Sequence, residues 1–421
     1  MRTRPASPVR IGALAPLTRP GWTEAGRHLL AGLELAVAEV NGAGGIDGRP
    51  LDLVVRDTAA DPRRAEAAVD ELDRLGVTAL VGEYHSVVAR AAAARADALG
   101  LPYLCSSAVL DALTERPAER VARLAPAQSH GWRVYADFLL AAGHAHIAVA
   151  AEPSAYWTAG TRLLRDHLTP HGGTVTELAA RDLTPEELCD ALAGRPATPG
   201  GDGPTGGDGG PTGGDGAPGG GPADGGPAGS GQAGGGPTGG EPVGSGQAGG
   251  GPTDGGPTAL LLLTGFPDPA VPIVKAVRRD PRLAGLLIGA PAGQPEFAEW
   301  EALLGGDGAA VPFLRYLPAR PGPLGARVER ALRARLGEEP SFVAFEGHDT
   351  ITVLAAALRA RGTDRGALAG AWSEVTVEGT RGEIRFTRPQ GSPVHQWAWP
   401  PVQVADRDPA APTRFRTLRT G

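Results

Sequence analysis

Apolar and polar positions alternate between two periods along this chain. Short, nearly continuous apolar runs lie at Val9–Leu14, Leu51–Asp57, Ala79–Gly82 and Pro102–Cys105, and each reads as a strand. Between them lie stretches of helical spacing. Thr23–Val40 places Leu29, Leu30, Leu33, Ala36, Val37 and Val40 on one face, and Val87–Leu99 forms a further helix. Asp61-Pro62 opens another, with Asp61 as N-cap and Pro62 in the first turn. The alternation then recurs. Helices are predicted at Gly131–Ala142, Tyr156–His171, Pro185–Ala193, Val271–Arg278, Gly325–Leu336 and Phe342–Arg361. Strands are predicted at Ile147–Ala151, Thr174–Glu177, Leu260–Leu263 and Leu286–Gly289, with a last β-rich part at Gly382–Phe386 and Val394–Trp399. Alternating β and α elements with apolar strands imply parallel sheets covered on both faces. Two successive runs imply two sheets and an α/β protein of two lobes. Ligands of open α/β sheets sit beyond the carboxyl ends of the strands, so the expected site is a cleft between the lobes.

The pattern stops between 197 and 257. That stretch is almost entirely Gly, Pro, Ala, Thr, Asp, Ser and Gln, and repeats GPTGGDG at 203–209 and 210–216 and GSGQAGGGPT at 229–238 and 244–253. Val243 is its one branched aliphatic residue. Such a composition does not bury enough apolar surface to offset the entropy of ordering. It is expected to be a disordered insert in the second lobe, dispensable for folding.

Charge and cysteine content narrow the partners. The formal charge of -7 and scattered arginines give no basic footprint for nucleic acid. Cys105 and Cys189 are the two cysteines, in a strand and a helix, so neither a disulfide nor a zinc framework is expected. No apolar run approaches the ~18 residues of a membrane span, so no direct membrane insertion is expected. MRTRPASPVR is basic, and the IGALAPL that follows reads as the first strand, shorter than a secretory core. As written, the chain is expected in the cytoplasm; an upstream start codon would make it extracytoplasmic.

Enzyme signatures are absent: there is no GxSxG elbow, HExxH or GxxxxGK. Tyr84-His85-Ser86 does not form a catalytic pair by adjacency, because neighbours on a loop point apart. His144 and His146 read as solvent-facing loop residues rather than metal ligands. Trp397 and Trp399 share a strand face by alternation and read as packing of the second lobe. No catalytic residue, cofactor or metal is expected.

Several motifs resemble the branched-chain amino acid (Leu/Ile/Val) substrate-binding proteins of ABC importers. They are IGALAPLT at 11–18, GLELAVAEVNGAGGIDGRPLDLVVRDTAADP at 32–62, VGEYHS at 81–86, SSAVLDALT at 106–114, FEGHDTITVLAAAL at 345–358 and RGEIRF at 381–386. The resemblance implies the type I periplasmic binding fold, with three crossovers between lobes. It implies an N-terminal lobe of 9–125 and 318–372, and a C-terminal lobe of 126–196, 258–317 and 373–405. It also implies reversible capture of a small polar solute (amino-acid-like, carboxylate or amide) and an ABC permease as partner. A cytosolic small-molecule sensor acting through a partner protein is the alternative on the same fold.

By the same resemblance, Tyr84, His85 and Ser86 form the first ligand loop, and Ser106, Ser107, Ala108 and Val109 the second. Trp22, Tyr156 and Phe266 supply cleft aromatics. Ser86 is also a helix N-cap by position, and a serine at a helix N-terminus suits a carboxylate. The family's loop threonine becomes Val109. The acid that meets a ligand ammonium falls at Pro291, leaving Glu83 and Glu296 as replacement candidates. A solute without a free α-amino group is therefore expected.

Overall fold

The computed structural model describes residues 7–113, 120–194, 256–388 and 395–421. The predicted insert at 197–257 lies almost wholly outside them. The chain begins with β1 (Val9–Ala15), α1 (Thr23–Gly42), β2 (Leu51–Asp57), α2 (Pro62–Arg74), β3 (Ala79–Gly82), α3 (Ser86–Ala98), β4 (Tyr103–Cys105) and β5 (Val121–Arg123). It continues with α4 (Gln128–Ala141), β6 (His146–Ala151), α5 (Ala155–Leu168), β7 (Thr174–Ala179) and α6 (Pro185–Leu192). After the insert come β8 (Ala259–Leu263), α7 (Ala270–Arg279), β9 (Leu287–Gly289), α8 (Ala298–Leu304) and β10 (Phe313–Arg315). The last part comprises α9 (Pro323–Leu336), α10 (Phe342–Arg361), α11 (Arg365–Ala369), β11 (Thr376–Gly379), β12 (Gly382–Thr387), β13 (His395–Trp397), β14 (Gln403–Asp408) and β15 (Ala411–Thr420).

These strands form a sheet of order β11-β12-β13-β5-β4-β3-β1-β2, a second of order β7-β6-β8-β9, and a small antiparallel sheet β10-β14-β15. From β13 through β2 the first sheet is parallel, and the second is parallel throughout. The apolar run Ala259–Leu263 is buried at every position, as a central strand covered on both faces requires. In the first lobe Leu72, Leu80, Val88 and Tyr103 pack between the sheet and α2 and α3. In the second, Leu188, Leu260, Leu262, Val274 and Trp300 fill the layer against α6, α7 and α8. Asp61 accepts from the Arg63 and Arg64 amides with Pro62 in the first turn of α2, the start signal visible in the sequence.

Three features differ from the expectation. The resemblance places residues 373–405 in the second lobe, yet β11, β12 and β13 extend the first sheet through His395↔Ala122 pairing; β14 leaves it, to join β10. Strand alternation specifies a buried face but not the sheet edge to which a strand adds. Trp397 accordingly packs in the first lobe, beneath the Arg381 guanidinium, while Trp399 lies beyond the strand, 71% exposed. The short elements β5, β10, β11, α8 and β14, and the ten-residue edge strand β15, gave no separate signal in the sequence. Cys105 and Cys189 are both free and buried.

Candidate functional site

Register sets the cleft. Leu14 lies beside Gly82, and Gly82 beside Cys105, so the loops after β1, β3 and β4 leave one edge of the first sheet together. Ala151 pairs with both Ala179 and Leu263, so the loops after β6, β7 and β8 leave the second sheet together. A cavity of about 390 Å³ lies between these two groups of loops.

On the first-lobe side, the chain turns sharply from β3 into α3. Gly82 has φ +104°, and a Cβ there would sit 2.3 Å from the Leu14 carbonyl oxygen. Glu83 follows at φ 71° with a fully buried side chain. Its Oε1 accepts from the Tyr84 and His85 amides at 2.9 and 2.8 Å, and its Oε2 from the Thr58 hydroxyl at 2.8 Å. Burial pushes this carboxyl up to about 7. His85 Nε2 accepts from the Trp22 amide at 3.1 Å. Loss of solvent lowers the imidazole to about 4, so the ring is neutral at pH 7. Ser86 opens α3, and its Oγ accepts from the Val109 and Leu110 amides, both at 3.2 Å. The hydroxyl therefore ties the second loop to the helix start, and the helix N-cap is His85. The Arg123 guanidinium grips the same loop from behind, donating to the Val109 and Leu110 carbonyls and to Gln396. Ser107 Oγ donates to Ser106 Oγ at 3.0 Å.

The predicted site residues divide accordingly. Trp22, Tyr84, His85 and Ser86 line the cavity, as do Ser107 and Val109. Tyr156 and Phe266 line it from the second lobe. Ser106 and Ala108 do not; both are fully buried behind it. Glu83 and Glu296, the candidate ammonium partners, are also not lining residues. The Glu296 carboxylate is engaged by Arg315 Nε at 2.7 Å and by the Phe342 amide at 3.0 Å, which joins the loop after β9 to α10.

Trp22 bridges the lobes, with its ring 5.7 Å from Tyr84, 5.5 Å from Phe266 and 4.6 Å from Phe297. Tyr156 stands edge-on to Trp132 at 6.0 Å, and its carbonyl accepts from Gln128. Trp157, Tyr316 and Phe342 complete the aromatic lining. Burial raises the Tyr84 and Tyr156 phenols, so both stay protonated donors.

Sequence reasoning missed two charged wall residues, Glu152 and Arg181. Arg181 Nε donates to Glu152 Oε1 at 2.7 Å, and Glu152 Oε2 accepts from the Gly265 amide. They are the charged side chains among the described lining residues, apart from the neutral His85. The available signal was their position at the ends of neighbouring parallel strands. Val87 and Val88 also line the cavity. Amides of a first helical turn have no intrahelical acceptor, so this end of α3 presents donors and the positive end of its dipole.

Glu24, His28 and Glu338 bring metal-type ligand atoms within 4.8 Å of one another. The site does not fit an ion. His28 Nδ1 accepts from the Ser341 amide at 3.0 Å, so Nε2 carries the proton it donates to Glu338, and no ring lone pair is left. Glu24 accepts from the Ala298 and Glu299 amides instead.

With this architecture in view, comparison with known proteins gives a consistent class. The periplasmic binding protein family matches residues 8–188. The chain has the type I periplasmic binding fold and resembles the Leu/Ile/Val substrate-binding proteins of ABC transporters.

Leu/Ile/Val-binding protein homolog 7 of Brucella melitensis biotype 1 is 35% identical over 122 residues, 28% of this chain and 29% of that protein. Homolog 8 of Brucella abortus is 34% identical over 133 residues, 31% of this chain and 32% of that protein. The matched stretch thus spans about a third or less of these relatives' length. In three dimensions, a leucine-binding protein from Thermotoga maritima superposes with a TM-score of 0.71 at 17% identity, covering 98% of each chain. A solute-binding protein from R. palustris in complex with benzoate gives 0.70 at 17% identity, covering 98% of this chain and 96% of its own. A branched-chain amino acid substrate-binding protein from Streptococcus pneumoniae in complex with isoleucine gives 0.68 at 15% identity, covering 98% and 100%. No described helix is long and apolar enough to cross a membrane.

Proposed function

We propose that this protein is the substrate-binding component of an ABC importer. Its cleft takes a small carboxylate with an apolar or aromatic body rather than an α-amino acid. The observation that carries this reading is the lining itself. Among the described residues, seven Trp, Tyr and Phe side chains surround the cavity, the N-terminus of α3 opens onto it, and the one lining carboxylate, Glu152, is already paired with Arg181. A solute carboxylate at the helix end gains amide donors and a favourable dipole. A solute ammonium finds no unneutralised acid among the described lining residues, and burying it costs several kcal/mol. The similarity to a benzoate-bound neighbour, and to another in complex with 3,4-dihydroxybenzoic acid, supports the aromatic option. The lobes close over the solute about the crossings after β5, between β10 and α9, and between β13 and β14.

Calorimetry with leucine, its deaminated keto acid and benzoate tests the reading. The expected order is benzoate or keto acid in the micromolar range and leucine at least about tenfold weaker, a difference of ~1.4 kcal/mol. Leucine binding as tightly as the keto acid would overturn it.

A further inference from the structure

We propose that Arg181 is a specificity-determining residue that selects a solute carrying a second acidic group, a dicarboxylate with a flat apolar body. This deepens the proposed function and rests on it. The cavity has two polar poles on opposite walls. On the first lobe, the start of α3 is enclosed: Ser86 is 9% exposed. On the second lobe, the Arg181 side chain is 66% exposed while its partner Glu152 is 13% exposed, which puts the guanidinium at the mouth. Between the poles stand Trp22, Tyr84, Tyr156 and Phe266.

The state of the pair makes Arg181 available. Glu152 accepts from the Gly265 amide as well as from Arg181, so it is anchored to its own lobe. Arg181 donates through Nε alone, and its two Nη groups have no protein acceptor among the described residues. A guanidinium held at Nε presents the remaining donors as a fork suited to a carboxylate. Glu152 thus positions the fork, and Arg181 meets the solute. A monoacid seated on α3 leaves the fork to water; a second carboxylate at the far end of the ring meets it. Because the fork is exposed, its contribution is modest and sensitive to salt.

Benzoate and its para-dicarboxylate, terephthalate, are the probes, measured by calorimetry on the full chain. The expected result is terephthalate binding about fivefold tighter than benzoate, with the ratio shrinking in about 0.5 M salt. The double variant R181M/E152Q removes both charges, so the net charge of the cavity is unchanged. There the ratio is expected to fall to about one, because the second carboxylate then meets no charge at the mouth. Arg181→Lys keeps the charge without the fork and is expected to retain part of the preference. An unchanged ratio in the double variant, or no preference in the native protein while benzoate binds, would overturn this assignment and leave the proposed function standing. Failure of both acids to bind the native protein would overturn this assignment, and the proposed function with it where the keto acid of leucine also fails to bind. Should the double variant not fold, an R181Q ratio equal to the native one would overturn the assignment alone.

Discussion

The two walls of the cleft are built on opposite principles. The first-lobe wall is rich in polar residues that serve the wall itself. Glu83 holds the Tyr84 and His85 amides, Ser86 holds the Val109 and Leu110 amides, and Arg123 grips the carbonyls of those last two residues. The second-lobe wall carries its positive charge at the surface, where Arg181 faces solvent above the mostly buried Glu152. The first wall is a rigid cradle that offers a helix terminus, and the second is an adjustable electrostatic rim. A polar side chain in a ligand loop is therefore weak evidence of ligand contact until its hydrogen bonds are accounted for.

Three substitutions in the first wall would break or sharpen this contrast. The largest effect is expected from Gly82→Ala. The new methyl would meet the Leu14 carbonyl at 2.3 Å in a positive-φ conformation, costing roughly 3 kcal/mol or more. Urea unfolding measures it; a loss under ~1 kcal/mol would show that the turn relaxes and that the cradle is not rigid.

Next comes the pH dependence of Glu83. Its folded-state carboxyl titrates at about 7, above the unfolded value of about 4.3. The protonated form is thus favoured in the fold. This contribution is fully present below about pH 4.3 and is lost as pH rises through about 7. Relative to Glu83→Gln, the native chain is expected to lose on the order of 3–4 kcal/mol of stability across that window. Other groups, Glu346 and His85 among them, titrate in both proteins and cancel in the difference. Parallel stability curves would mean that the three donors around Glu83 outweigh its burial.

The smallest of the three is Ser86→Ala, expected to cost about 1–2 kcal/mol of folding stability, because two buried amides lose their acceptor. Solute affinity should fall as well, through a loosened second loop. A variant of native stability with weakened binding would return Ser86 to the role of direct ligand donor that its place in the sequence suggests. The Arg181 and Glu152 substitutions are the complementary probe of the second wall: they should alter selectivity while leaving the unfolding midpoint nearly unchanged.

Much of the architecture was legible in the residues. The apolar runs gave most of the long strands, and Asp61-Pro62 marked a helix start that the structure repeats. Motif position puts the aromatic set Trp22, Tyr84, Tyr156 and Phe266 at the cleft, and all four line the cavity. Period and capping are local properties, written in neighbouring residues. Short elements such as β5 and β10 carry too few residues to show a period.

What the sequence by itself determined, then, is where the backbone alternates and which loops end each strand. Partnerships between distant segments were decided by the tertiary structure. The assignment of β11–β13 to the first sheet depends on an edge pairing with β5, which no local pattern encodes. Glu152 and Arg181 are far apart in sequence and meet because β6 and β7 pair in the register that sets Ala151 against Ala179. Glu83 and Glu296 could serve as ligand acids on composition alone; the fold engaged both, since a buried carboxylate requires donors and the nearest were backbone amides, Thr58 and Arg315.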